Sequence, residues 1–353
     1  MTHPYDDLGP EAFWKTAVAE PGPFGLSGLW QPKFPIRPRQ KIVTAGSCFA
    51  QHIGRALADR GYRWIDCEPA PPFMQTEHAR SHGYGVFSFR TGNIYTPAML
   101  LQWLELAYEM RADSGEVWVK DDRYYDPLRP AIEPNGFASE EELWDARHET
   151  YAALRRAVET SDVFVFTLGL TERWRNSQTD TEYAMCPGTV AGTFDPDQHV
   201  FVNTNTRQTQ AALTDVIRLL RSKRPKLRIL LTVSPVPLTA TASGKHVLTA
   251  THYSKSVLRA VAGMTADRYP FVDYFPSYEI ITHPVFRGMF FAPNMRSVVP
   301  EGVATVMKHF FADQITAFPE LRELRVLPDK ANAGPQAEDD IRCEEVLLDA
   351  FAR

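Results

Sequence analysis

Two stretches, "SDVFVFTLGL" (161–170) and "LRILLTV" (227–233), are nearly continuous apolar runs of strand length. A strand with one wet face alternates apolar and polar residues, and these do not. They must be covered on both faces, as strands are in a parallel sheet lying between helices. The segments around them have helical character. "TRQTQAALTDVIRLLRSKRP" (206–225) is an amphipathic helix stopped by Pro225. "SKSVLRAVAGMTADRY" (254–269) reads as a helix, "FVDYF" (271–275) as a strand, and "PEGVATVMKHFFADQI" (300–315) as a further helix. "KIVTA" (41–45) has strand character and is broken by Gly46. From Cys48 to Arg60, Phe49, Ile53 and Leu57 form one helical stripe, and Gly61 follows as a C-terminal stop. This alternation predicts an α/β fold, a central parallel sheet with helices on both faces.

The rest of the chain attaches to that core. Residues 1–40 are rich in Pro and Gly but carry Phe24, Leu29, Trp30 and Phe34, so an ordered arm on the domain is expected. The main domain spans 41–326. Within it, 62–147 reads as an insertion after the first βα unit, covering one end of the sheet. It holds a helix over 97–110 and a hairpin in "EVWVKDDRYYDPL". Residues 327–353 read as a linker followed by a terminal amphipathic helix.

A net charge of −5 argues against a nucleic-acid surface and offers no patch for an anionic membrane. Cys48, Cys67, Cys186 and Cys343 are widely spaced, with no C-x-x-C pair, which fits a reducing compartment. The N-terminus lacks a signal pattern and the longest apolar run is too short for a bilayer, so a cytoplasmic protein is expected. There is no phosphate-binding loop, no H-E-x-x-H and no dinucleotide glycine pattern, so neither metal nor cofactor is expected. The acids of "DPDQH" (195–199) fit a surface loop.

Ligands of an open parallel sheet bind beyond the carboxyl ends of its strands. Those ends carry Gly46, Ser47 and Cys48, then Gly169, Thr171, Glu172 and Arg173, then Ser234. Ser47 sits where a strand meets a helix N-terminus, and unpaired amides there stabilise an oxyanion. Serine at such a place is also a common helix cap. Cys48 reads either as a small buried apolar side chain or as a thiol activated by the helix. Arg90, Arg173 and Arg296 lie near these motifs and as a cluster would bind a carboxylate or phosphate.

"GSCFA" (46–50), "RTGNIYTPAMLLQW" (90–103), "TLGLTERW" (167–174), "VSPVPLTAT" (233–241), "HYSKSVLRAVA" (252–262) and "VDYFPSYEII" (272–281) resemble the GSCFA-domain family. That family is grouped by similarity with the SGNH/GDSL hydrolases, esterases and O-acyltransferases on a flavodoxin-like three-layer fold. The resemblance implies a small-molecule or carbohydrate ester as substrate. It places Ser47 as nucleophile, with Cys48 as the alternative. It implies an oxyanion hole from Ser47, Gly92, Asn93, Gly169 and Thr171, and substrate contacts from Arg90, Tyr95, Arg173, Ser234 and Arg296. Asn294 and Ser297 stand where an Asp and a His are expected, and neither can serve as a base. The remaining bases are His252 and His246, ahead of His283, with Glu172 as orienting carboxylate. The rival expectation is a binding or accessory protein that kept the fold and lost the catalytic pair.

Overall fold

The computed structural model describes residues 3–322 and 343–352. A short helix α1 (Gly22–Gly25) precedes strand β1 (Ile42–Gly46) and helix α2 (Phe49–Asp59). Helices α3 (Thr76–Ser81) and α4 (Pro97–Ala107), strands β2 (Trp118–Lys120) and β3 (Arg123–Tyr125), and helix α5 (Glu140–Thr160) lead to β4 (Val163–Leu168). Then come β5 (Glu172–Asn176), β6 (Glu182–Tyr183), β7 (His199–Asn203), helix α6 (Thr206–Lys223) and β8 (Arg228–Val233). Helix α7 (Val247–Arg268), β9 (Val272–Tyr274), α8 (Ser277–Thr282) and α9 (Pro300–Ala317) complete the domain.

The central sheet is parallel, in the order β1-β4-β8-β9. The two apolar runs are its inner strands, and alternate residues enter different cores. Phe164, Phe166, Ile229 and Leu231 pack under α4, α5, α6 and α7. Val163, Val165 and Leu230 pack under α2, α8 and α9. Each large apolar side chain buried this way contributes about 1.5–3 kcal/mol. The result is a three-layer α/β arrangement. Leu26, Trp30, Phe34 and Ile36 also enter the second core.

Local chemistry accounts for the element ends. Pro97 starts α4 and Thr96 caps it by accepting from Met99 N. Asn205 and Gln208 make a reciprocal capping box on α6.

Several expectations need correction. Helix α7 starts at Val247, ahead of the expected residue 254, so His246 is its N-terminal cap and His252 lies on the helix rather than in a loop. Helix α4 packs beside α5 and α6 and belongs to a layer, not to a cover over the sheet end. The antiparallel sheet β6-β5-β7 was not legible, because its strands are short and mixed in polarity. The expected C-terminal helix is present as a 3-10 helix, Glu344–Phe351. The linker expected at 327–341 lies outside the described residues.

The segment between β1 and β4 is fastened by a buried charge cluster. Asp126 accepts from Arg129 Nε at 2.8 Å and from Arg147 Nε at 3.1 Å, and all three side chains are almost fully buried. Burial opposes the Asp126 charge, but the two guanidiniums outweigh it and hold its carboxyl below the usual range.

Candidate active site

The carboxyl ends of β1, β4 and β8 are level, with Gly46 opposite Thr167 and Thr167 opposite Thr232. Gly46 has φ +132°, and a β-carbon there would stand 2.3 Å from the Thr167 carbonyl oxygen. Only glycine permits that approach. It lets Ser47 N donate to Thr167 O at 3.0 Å while Ile94 N donates to Gly46 O at 2.8 Å. Gly169 N and Leu170 N both donate to Tyr95 O, at 2.9 and 3.0 Å. A β-carbon on Gly169 would stand 3.0 Å from the Ser47 β-carbon. The loops carrying "GNIY" and "GLTE" therefore close around Ser47.

The Ser47 hydroxyl is not a helix cap. Cys48 takes the cap position of α2 and no side chain caps that end. Ser47 Oγ is buried and has no hydrogen-bond partner among the described residues. Buried hydroxyls are mostly paired, and Ser47 Oγ shares its orphan state with Thr167 Oγ1 at the neighbouring strand end, so two unpaired hydroxyls gather at this edge.

The expected oxyanion donors are mostly committed elsewhere. The amides of Ser47 and Gly169 hold the backbone bonds just given. Thr171 N donates to Ser254 Oγ at 3.0 Å, and Thr171 Oγ1 donates to Asn203 Oδ1 at 2.7 Å. Gly92, with φ +68°, turns the loop so that Asn93 Nδ2 projects to Glu344 Oε2 at 3.0 Å. At the start of α2, Ala50 N and Gln51 N are also engaged, donating to Ser47 O and Cys48 O at 2.8 and 3.1 Å, which leaves the Phe49 amide as the helix-end donor.

None of the three expected histidines reaches this place. His246 is exposed and its Nδ1 accepts from Leu248 N at 3.2 Å. His252 is exposed on α7. His283 accepts from Val285 N at 3.2 Å and lies beside Trp14. Among the described residues no histidine bonds Ser47 or lines the adjoining cavity.

Lys255 on α7 is there instead. It is 1% exposed and its Nζ donates to Gly169 O at 2.7 Å. Burial lowers its pKa to about 8, against the opposing pull of Glu345 and Cys48. Sequence reasoning missed it, although a signal existed. Lys255 falls on the same helical stripe as Leu258 and Ala262, and a charge on an apolar stripe is out of place.

Asn294 and Ser297 also have a role. Asn294 Oδ1 accepts from Arg296 N and Ser297 N at 2.9 Å each, and Asn294 Nδ2 donates to Ser297 Oγ at 3.0 Å. The turn they make presents Arg296, whose Nη2 lies 3.5 Å from Cys343 Sγ and 3.3 Å from Glu345 Oε2. Cys343 in turn hydrogen-bonds Cys48. That bond and burial push the Cys48 thiol well up, while the bond and Arg296 bring Cys343 down to about 6. Cys48 is thus neither a simple apolar filler nor a ready thiolate.

A cavity of about 450 Å³ opens against Tyr95 and Leu170, which flank the Ser47 turn, although Ser47 itself does not line it. Tyr95, Leu170, Trp174, Phe194 and Phe201 form much of its wall, and Glu172, Arg173 and Glu345 are among its polar groups. Glu172 accepts from Thr241 at 2.7 Å, and burial raises its pKa. Arg173 pairs with Glu182. Three other expected contacts, Arg90, Ser234 and Arg296, do not line the cavity. Arg90 is clamped by Glu68 and Glu133 beneath Tyr84, and Ser234 is buried in the turn after β8. Among the described residues no group of three or more His, Cys, Asp or Glu is placed to hold a metal ion. No helix among them is long and apolar enough to cross a membrane.

A comparison with protein-family models matches residues 41–310 to the one described as the GSCFA family. No curated protein matches the chain.

Proposed function

The chain belongs to the GSCFA family, and from that membership and the geometry at Ser47 we propose that it is a serine-dependent hydrolase or transferase of ester-linked acyl groups. The observation that carries this is the buried, unpartnered Ser47 hydroxyl on a glycine-dependent turn, with the buried amine of Lys255 holding the adjoining loop. The resemblance to SGNH hydrolases supports the same reaction class and suggests a carbohydrate ester.

In this reading Ser47 Oγ attacks the acyl carbonyl and its proton passes to neutral Lys255. At a pKa of about 8, roughly a tenth of Lys255 is neutral at pH 7, against fewer than about one in a thousand ordinary lysines. Serine–lysine pairs are a known variant of the serine–histidine arrangement. General-base help of this kind is worth about 10²–10⁴-fold. Asn93 Nδ2, once Glu344 is withdrawn from it, and the Phe49 amide at the start of α2 receive the oxyanion. Protonated Lys255 then returns its proton to the leaving alkoxide, and water or an acceptor hydroxyl releases the acyl group.

A second reading is a binding protein without catalysis. It is favoured by the turn that Asn294 and Ser297 make in place of an Asp–His pair. The test is labelling with a fluorophosphonate probe beside hydrolysis of an aryl acetate. It uses the wild type, Ser47→Ala, and a full-length E344A/E345A variant whose site is uncovered. Labelling and turnover that vanish in Ser47→Ala support the enzyme. Activity that survives Ser47→Ala sinks the proposed nucleophile. An uncovered variant that neither labels nor turns over leaves the binding protein.

A further inference from the structure

Beyond the reaction class, the site is already filled by part of its own chain. Glu344 and Glu345 are consecutive, and their carboxylates are taken by groups from different parts of the fold. Asn93 Nδ2 and Tyr95 OH reach Glu344 Oε2 at 3.0 and 3.5 Å. Arg296 reaches Glu345 Oε2 at 3.3 Å, and the positive charge of Lys255 acts on the same carboxylate. Further along the same segment, Leu348 and Phe351 line the apolar cavity. Burial raises the Glu345 pKa to about 8 against the pull of Arg296 and Lys255, so a head that keeps its charge would satisfy the two cations better than Glu345 does. The occupant is thus a pair of carboxyl groups followed by an apolar stretch.

The receptor side has the matching chemistry without the tail. Lys255 is 1% exposed, and an ammonium carries three donors. A buried cation is costly unless an anion accompanies it. Arg296 adds a planar fork suited to carboxylate or phosphate. The tail itself is lightly held, with Val346, Leu347 and Phe351 between 44% and 65% exposed. Segments with so little buried area open at low cost.

We propose that the cavity beside Ser47 binds an anionic amphiphile, a carboxylate or phosphate head on an apolar chain, and that Glu344–Phe351 occupies it as an internal mimic. Turnover of such a ligand rests on the acyl-transfer reading, whereas its binding does not. The head sits at the end of the cavity where the Glu344 and Glu345 carboxyls now meet Asn93, Tyr95 and Arg296, with Lys255 close by, and the chain runs along Trp174 and Phe194. The tail and the ligand then compete for one place.

Calorimetric titration below the micelle concentration tests it, with dodecanoate, dodecyl phosphate and dodecanol as probes. Full-length E344A/E345A should bind at least one anionic probe about tenfold or more tightly than the wild type. The better of the two anions identifies the head. Adding Arg296→Ala to that variant should cost at least about tenfold, and Arg296→Lys should restore part of it, which a misfolded protein would not do. Adding Ser47→Ala should leave binding intact while removing any ester turnover, which separates this proposal from the catalytic one. Equal affinity of wild type and tail variant, no binding of either anion, or dodecanol binding as well as dodecanoate would overturn it.

Discussion

Lys255 Nζ donates to the carbonyl of Gly169 at 2.7 Å across 86 residues of chain. The bond joins helix α7 to the loop after β4 and places a buried amine beside the turn that carries Ser47. Gly169 is also the residue whose missing β-carbon leaves room for Ser47. One contact therefore both shapes the pocket wall and sets the only buried lysine charge described at this edge.

If Lys255 is the proton acceptor, only its neutral form works, so activity is low in acid and rises with pH. The rising limb of kcat/KM should have an apparent pKa near 8, the value set by burial. Glu345 holds that pKa up, so E344A/E345A should shift the limb to lower pH. Lys255→Arg keeps the charge but cannot deprotonate, and should lower kcat by about 10²–10⁴-fold. A limb near 6.5 that persists in Lys255→Arg would point to a histidine and end this assignment.

The contact between Cys48 and Cys343 should be convertible to a covalent link. Diamide accepts two electrons and two protons from the thiol pair, giving a disulfide and the reduced hydrazine. Mass spectrometry after digestion should find the Cys48–Cys343 peptide pair. Ester turnover and amphiphile binding should fall with it and return on treatment with a dithiol. Cross-linking of other cysteine pairs in its place would show that the tail does not rest against Cys48.

Gly46→Ala should be destabilised by more than about 1–3 kcal/mol in urea unfolding. The site demands φ +132° and leaves 2.3 Å to the Thr167 oxygen, so strain and clash add. A variant as stable as the wild type would mean that the β1–β4 approach is wider.

Asp126→Ala should cost about 3–5 kcal/mol, because it strands the buried Arg129 and Arg147 charges. The contribution of Asp126 has a defined pH dependence. Its folded pKa is depressed, so its stabilisation is present above the unfolded value near 3.9 and is lost as pH falls through the lower folded value. Wild type and variant should converge in stability only in strong acid, as followed by thermal unfolding across pH.

Much of the framework is written in local pattern. "SDVFVFTLGL" and "LRILLTV" cannot be half-exposed strands, so a parallel sheet between helices follows from them alone. Gly46 before Ser47 marks the turn, because a strand that must stop and admit a neighbour's carbonyl needs a residue without a β-carbon. Even Lys255 left a trace as a charge on an apolar stripe. The catalytic candidates were less legible, since a side chain's role depends on neighbours that periodicity does not encode. His246 and His252 looked well placed because their loop follows a strand end, yet an earlier start to α7 turned both to the solvent. Asn93 and Glu344 are 251 residues apart in sequence and 3.0 Å apart in space. Sequence alone determined the layers and the strand end where chemistry belongs. Which groups meet there, and that the chain's own carboxylates lie among them, was decided by tertiary packing. Burial and charge pairing act across space, and they fix protonation and access regardless of distance along the chain.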